Sequence, residues 1–284
     1  MPSPLVINTN IASLTTQTYL SKNNDMLQQS MQRLSSGLRV NSAKDDAAGL
    51  SIADGMTSQI RGMTVAVRNA NDGISMVQTA DGALSTITDT IQRMRDLSVQ
   101  AANTGAVGSG DRQKLQTEFA QLGAEVKRII QNTEFNGKKI LNGSLVNANF
   151  QIGANTATDN QISVTVSNLA SVNSLSALFG NMHSIGSNAT PANVRSTIDA
   201  IDTAIKHIDT FRSNLGAVQN RLTATITNLQ SAIENQTAAK SRIMDTDFAA
   251  ETANLTRSQI IQQAGTAMLA QANQTTQGVL QLLK

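Results

Sequence analysis

Cysteine and tryptophan are both absent from this chain of 284 residues. Without thiols there is no disulfide framework, no cysteine nucleophile and no cysteine metal site. Aromatic residues make up only 2% of the chain. Large aromatics usually dominate thick cores. Their scarcity, beside abundant Ala, Leu, Ile, Gln, Asn, Ser and Thr, suits slender layers of helix on helix. No stretch holds 18 consecutive apolar residues, so no transmembrane helix and no membrane insertion are expected. Met1 to Asn10 lack the basic region and apolar run of a secretory signal. By these rules the chain is cytosolic, or leaves the cell without a cleaved signal. The net charge is +2, with basic and acidic residues interspersed. With no polybasic stripe, a nucleic-acid partner is not expected.

Catalytic and ligand-holding constellations are equally scarce. His183 and His207 are the two histidines and lie far apart. There is no H-E-x-x-H pair for zinc and no G-x-x-x-x-G-K-[ST] loop for phosphate. Asp245 and Asp247 flank one residue before a helix, an arrangement far more common for capping than for metal. Met56, Met63 and Met94 fall at helical core positions, where packing is the ordinary use. Asn142-Gly143-Ser144 and Asn188-Ala189-Thr190 fit the N-glycosylation pattern, a weak signal. No enzyme activity, cofactor or metal is expected.

What the chain does have is an amphipathic helix at each end. Leu20, Leu27, Met31, Leu34 and Leu38 follow 7-4-3-4 spacing, and Ile261, Met268, Ala272, Val279 and Leu282 fall on the same 3-4 alternation. That is a coiled-coil seam, with its apolar stripe facing a partner helix. The register slips by one residue between Leu14 and Leu20. Asn8-Thr9-Asn10 offers capping side chains, and Gly37 is a natural left-handed stop. Two ends that both need a partner point to an assembling protein.

Between the ends, a 3-4 alternation runs from Ile52 to Ala101, and Gly73 and Gly82 are places for a bend or break. Asp111 is placed to cap a further helix running to about Asn132. Asn136-Gly137 and Asn142-Gly143 are turn dipeptides. Phe150 and Ile152, then Ile162, Val164 and Val166, alternate with strand period two, so 133–170 is a hairpin region. Residues 171–192 read as loop, with Pro191 opening the next helix. Helical periodicity returns from Val194 to Ile233, and Asp245-Thr246-Asp247 marks a junction. The fold class expected is mainly α: long antiparallel helices in coiled-coil-like bundles, with a small β-hairpin region in the middle. Residues 1–42 with 243–284 form a terminal inner domain, and 43–242 form a rod-like helical domain.

Specific motifs then meet a known family. The run Ser36-Gly37-Leu38-Arg39-Val40-Asn41-Ser42-Ala43-Lys44-Asp45-Asp46-Ala47-Ala48-Gly49-Leu50-Ser51-Ile52-Ala53 resembles the flagellin signature. So do Gln92 to Ala102, Phe135 to Leu141, and the ending with Gln262-Gln263-Ala264-Gly265 and Leu269-Ala270-Gln271-Ala272-Asn273. The resemblance covers essentially the whole chain and implies a short form, without the large outer variable domains. It implies a subunit exported to the cell exterior that polymerises into the flagellar filament for swimming motility, through pairing of its terminal helices. The residues expected to carry assembly are Ile7, Ile11, Leu14, Leu20, Leu27, Met31, Leu34, Leu255, Ile261, Met268, Val279, Leu282 and Leu283. The partners implied are copies of the chain, the flagellar export apparatus, an export chaperone, the filament cap and hook-associated junction proteins. Gln92, Arg93, Leu97 and Glu118 match a patch that a host Toll-like receptor reads on some flagellins, with Leu97 as an anchor. The competing reading, favoured as the selected role, is that these residues belong to subunit–subunit packing.

In the connector 36–48, Asp45 and Asp46 beside Lys44 and Arg39 leave two readings open: a salt-bridge network or a solvated turn. Two other functions compete with the filament subunit. A hook–filament junction protein shares similar terminal helices, whereas a soluble adaptor or toxin-like binder needs ordered ends or a Lys/Arg-rich amphipathic face, which is missing.

Overall fold

The computed structural model describes residues 9–144, 147–165, 168–169 and 184–281, with side chains as far as Thr275. Val166 and His183 lie outside the described residues. Among the described residues five helices carry the fold: α1 (Ile11–Ser36), α2 (Ala47–Ala102), α3 (Ser109–Asn132), α4 (Pro191–Met244) and α5 (Phe248–Gln281). Between α3 and α4 the described residues form four short strands, β1 (Glu134–Phe135), β2 (Lys138–Lys139), β3 (Ala148–Gln151) and β4 (Gln161–Val164). The mainly helical fold class with central β-hairpins is as the periodicity indicates.

Most boundaries have a local cause. Asn10 caps α1, its side-chain oxygen accepting from the Ser13 N–H at 3.1 Å. Gly37 ends α1 in the left-handed region at φ 72°. Helix α2 is continuous for 56 residues, so neither Gly73 nor Gly82 breaks it. The reason at Gly73 is packing: an added Cβ would stand 3.2 Å from Leu222 and 3.4 Å from Phe150. Asp111 does not cap α3. The cap position is Gly108, and Asp111 sits in the first turn, where it accepts from Lys114 at 3.0 Å. Asn136 and Gly137 take φ 49° and 73°, the two positive values of a tight hairpin turn between β1 and β2. Strands β3 and β4 pair antiparallel, with Phe150 opposite Ile162.

The chain divides into two compact units, Met1–Ser58 with Asn235–Lys284, and Gln59–Glu234. The division falls inside α2 and α4, beyond the sequence boundaries at 42/43 and 242/243. In the 59–234 unit a long core is built from Leu84, Ile87, Ile91, Met94 and Leu97 of α2, Phe119, Val126 and Ile130 of α3, and Ile201, Ile208 and Leu215 of α4. Arg95 pairs with Asp202 and Arg212 with Asp81, at 2.7 and 2.8 Å, which fixes α2 and α4 as antiparallel. The hairpin seats Ile162 beside Ala70 and Leu222. In the other unit, α1 and α5 pair antiparallel, and a small cluster of Val40, Ala53 and Met244 lies under the connector.

Candidate assembly surface

The α1–α5 pair is built on a seven-residue repeat, but its seam is not the expected apolar one. Along α1 the residues facing α5 are Ser13, Leu20, Leu27 and Leu34 in one row and Thr16, Asn23 and Ser30 in the other; all are buried or half-buried. Along α5 the rows are Leu255, Gln262 and Leu269, and Glu251, Ser258, Gly265 and Ala272. One core row of each helix is therefore polar or small. Asn23 donates to the Ser258 carbonyl at 2.7 Å, Gln262 donates to Asn24 at 3.0 Å, and Asn10 donates to the Ala272 carbonyl at 2.9 Å. Leu20 fills the gap at Gly265, where an added Cβ would stand 3.2 Å from it.

The larger apolar side chains lie outside that seam. Tyr19, Met26, Ile261 and Met268 are 67%, 50%, 44% and 63% exposed. Each immediately precedes a seam leucine or Gln262 in the repeat, and in an antiparallel pair these positions share one flank. The cross-pair contacts set Ile261 at a level between Tyr19 and Met26, with Met268 just beyond Tyr19. The result is a ladder of alternating α1 and α5 side chains along one edge. Ile11, Leu14, Met31 and Ile260 are also exposed.

Of the residues singled out from sequence, Leu20, Leu27, Leu34 and Leu255 are half-buried on the seam, while Ile11, Leu14, Met31, Ile261 and Met268 face away from it. Leu38 belongs to the connector rather than to α1. Ile7, Leu282 and Leu283 lie outside the described residues, as does the side chain of Val279. Apolar 3-4 spacing could not separate seam from flank, because both recur every seven residues. The signal that could have done so is the parallel repeat of Thr16, Asn23 and Ser30.

The connector is tied by backbone rather than by charge. Arg39 N–H donates to the Met244 carbonyl at 2.6 Å and Thr246 N–H to the Gly37 carbonyl at 3.0 Å. The Arg39 guanidinium reaches the Ile243 carbonyl at 2.6 Å. Asp45 accepts the Ser42 hydroxyl and the Ser42 and Asn41 N–H groups at 3.0, 2.9 and 3.2 Å, and the Ser42 hydroxyl leads in holding its pKa below the usual carboxylate value. Asp46 accepts the Gly49 N–H at 2.8 Å, so close that a Cβ at Gly49 would overlap it. The salt-bridge reading of this segment gives way to carboxylates that satisfy backbone donors. Asp247 does the same for α5, accepting from Ala249 and Ala250 at 2.9 and 3.2 Å.

On α2, Gln92 and Arg93 are exposed, and Arg93 Nε and Nη2 both donate to Glu118 Oε1 at 2.9 and 2.7 Å. Leu97 is a different case. At 1% exposure it belongs to the core, which corrects its reading as a surface anchor: it supports the patch from beneath. Among the described residues no group of three or more His, Asp or Glu converges as a metal site. No described helix is long and apolar enough to cross a membrane.

The chain is of the class whose two ends pair with each other as helices, with a mainly helical stretch between them in sequence. Comparison with known proteins agrees. The family model described as the bacterial flagellin N-terminal helical region matches residues 7–145, and that for the C-terminal helical region matches 198–283. The chain is 44% identical to flagellin of Bacillus subtilis (strain 168), over 98% of this chain and 99% of that one. It is also 44% identical to flagellin of Halalkalibacterium halodurans, over 99% and 100%. A putative flagellar hook-associated protein from Vibrio parahaemolyticus has the same fold, with a TM-score of 0.60 at 13% identity, covering 71% of this chain and 100% of that one. The chain belongs to the bacterial flagellin family, whose members are structural subunits of the flagellar filament.

Proposed function

We propose that this chain builds the filament through the apolar flank of its terminal pair, with copies of itself as the main partner. The observation that carries this is the ladder of Tyr19, Met26, Ile261 and Met268, left in water by a pair whose own seam is partly polar. Burying each such side chain contributes roughly 1.5–3 kcal/mol. Four of them, repeated at every subunit contact, offset a substantial part of the cost of immobilising a subunit. A flank on one surface meeting a different surface of the next copy is a heterologous contact, which extends into an open helical polymer rather than closing. On this reading the role is structural, without catalysis, and the polymer lies outside the cell. The export apparatus, an export chaperone, the filament cap and hook-associated junction proteins are proposed as further partners, from the family.

Seeded growth followed by electron microscopy tests the proposal. The full chain is expected to elongate short filament seeds, and Met26→Glu and Ile261→Glu to stay soluble with unchanged helical content. If both variants elongate seeds like the unmodified chain, assembly does not use this flank. If the unmodified chain itself never elongates, the junction-protein reading, which the shared fold also accommodates, takes its place.

A host Toll-like receptor is proposed as a partner for the exposed Gln92, Arg93 and Glu118. Weak receptor activation by purified monomer, unchanged by Arg93→Ala, would remove that partner.

A further inference from the structure

The polar row of the α1–α5 seam has no need to be polar for the two helices to pair. Of the buried polar residues described in this protein, Ser13, Asn23, Ser30, Glu251 and Ser258 lie in this pair, and Glu251 is the one charged side chain among them. It is 7% exposed, accepts the Ser30 hydroxyl at 2.5 Å, and has Arg33 at 3.7 Å. Asn23, 1% exposed, donates to the Ser258 carbonyl. The apolar part of the seam, by contrast, repeats: Leu20, Leu27 and Leu34 recur every seven residues on α1, and so do the small residues Ser258, Gly265 and Ala272 on α5, with Leu20 at Gly265 in the observed pair. Sliding α1 by one heptad would again set leucines against small residues. Apolar packing therefore discriminates poorly between registers.

The polar groups do discriminate. In a pair slipped by one heptad, Glu251 would lie opposite Asn23 or Gly37 instead of Ser30 and lose the hydroxyl and guanidinium that hold it, and the connector bonds of Arg39 and Thr246 would break as well. An uncompensated buried charge is strongly destabilising, whereas exchanging such a group for an apolar one of similar size is often neutral. Single buried polar residues fix register in coiled coils by this asymmetry.

We infer that Ser30 and Glu251, with Arg33 beside them, are register-determining residues of the terminal pair: they favour the observed antiparallel alignment over one slipped by a heptad. The inference concerns the pair itself and does not rest on the proposed use of its flank. The chain has no cysteine, so introduced pairs report register directly. Leu20→Cys with Gly265→Cys faces in the observed alignment, and Leu27→Cys with Gly265→Cys faces only after a one-heptad slip.

Disulfide yields are compared for the full chain, soluble and on seeds. In an otherwise unmodified background the Leu20–Gly265 pair should dominate. With Ser30→Ala and Glu251→Leu added, the ratio of slipped to in-register product should rise about tenfold, which corresponds to about 1.4 kcal/mol. Glu251→Gln alone, which keeps an acceptor for Ser30 but removes the charge, should give a ratio between the two. General loosening of the pair would lower both products together and leave the ratio alone. An unchanged ratio in the double variant overturns the inference, and so does an unmodified chain that gives both products equally. Failure of seeds to grow would count against the filament surface and leave the disulfide ratio readable in the soluble chain.

Discussion

Individual side chains in the 59–234 unit divide between those that hold the fold and those that decorate it. Leu97 and Arg93 lie four residues apart on α2, yet one is core and the other surface. Leu97→Ala should cost about 2–5 kcal/mol, as a leucine cavity does. Arg93→Ala removes an exposed pair worth about 0–1 kcal/mol. Urea denaturation of both variants should therefore separate them clearly. The Arg95–Asp202 pair adds a pH dependence. The Arg95 hydrogen bond leads in holding the Asp202 carboxyl below its ordinary value. A lowered carboxylate pKa stabilises the fold above the unfolded value, about 3.9 for aspartate, and that stability is lost as pH falls through the folded value. Asp202→Asn should thus melt lower than the unmodified chain near neutral pH, and the two should converge in acid. A gap that persists unchanged in acid would mean the ionised carboxylate is not what Asp202 contributes.

The helices themselves were largely legible from sequence, because 3-4 spacing survives over dozens of residues and the caps at Asn10 and Gly37 are chemically specific. The glycines were not. Gly73 and Gly82 look alike in sequence, yet α2 passes through both without a break. Packing on Leu222 and Phe150 occupies the space beside Gly73, whereas nothing stands within 4 Å of a Cβ at Gly82. Gly82→Ala should therefore stabilise by up to about 1 kcal/mol through helix propensity. Gly62→Ala carries the same propensity gain, but its Cβ would stand 2.7 Å from that of Ala154, so the hairpin loop must move. Thermal melts should rank Gly82→Ala above the unmodified chain and Gly62→Ala below Gly82→Ala. The candidate assembly surface was legible only in part. Leu20, Leu27 and Leu34 belong to the inner seam, while Met31, Ile261 and Met268 do not. Apolar spacing carries no label for which of two adjacent stripes meets a helix of the same chain, and polar residues at core positions break the pattern that spacing looks for.

At the scale of the molecule, two kinds of interior coexist in one chain. The 59–234 unit encloses leucine, isoleucine, methionine and phenylalanine, whereas the terminal pair closes over asparagine, serine and a glutamate. Apolar and polar surface change the heat capacity of unfolding in opposite directions when exposed. The paired ends should accordingly unfold with a smaller heat-capacity change per residue than the middle of the chain, and their stability should fall nearly linearly with temperature where that of the middle follows a dome. Warming or cooling would then change the balance between loose ends and an intact centre, so that the chain's readiness to join a growing polymer is set partly by the curvature of two stability curves.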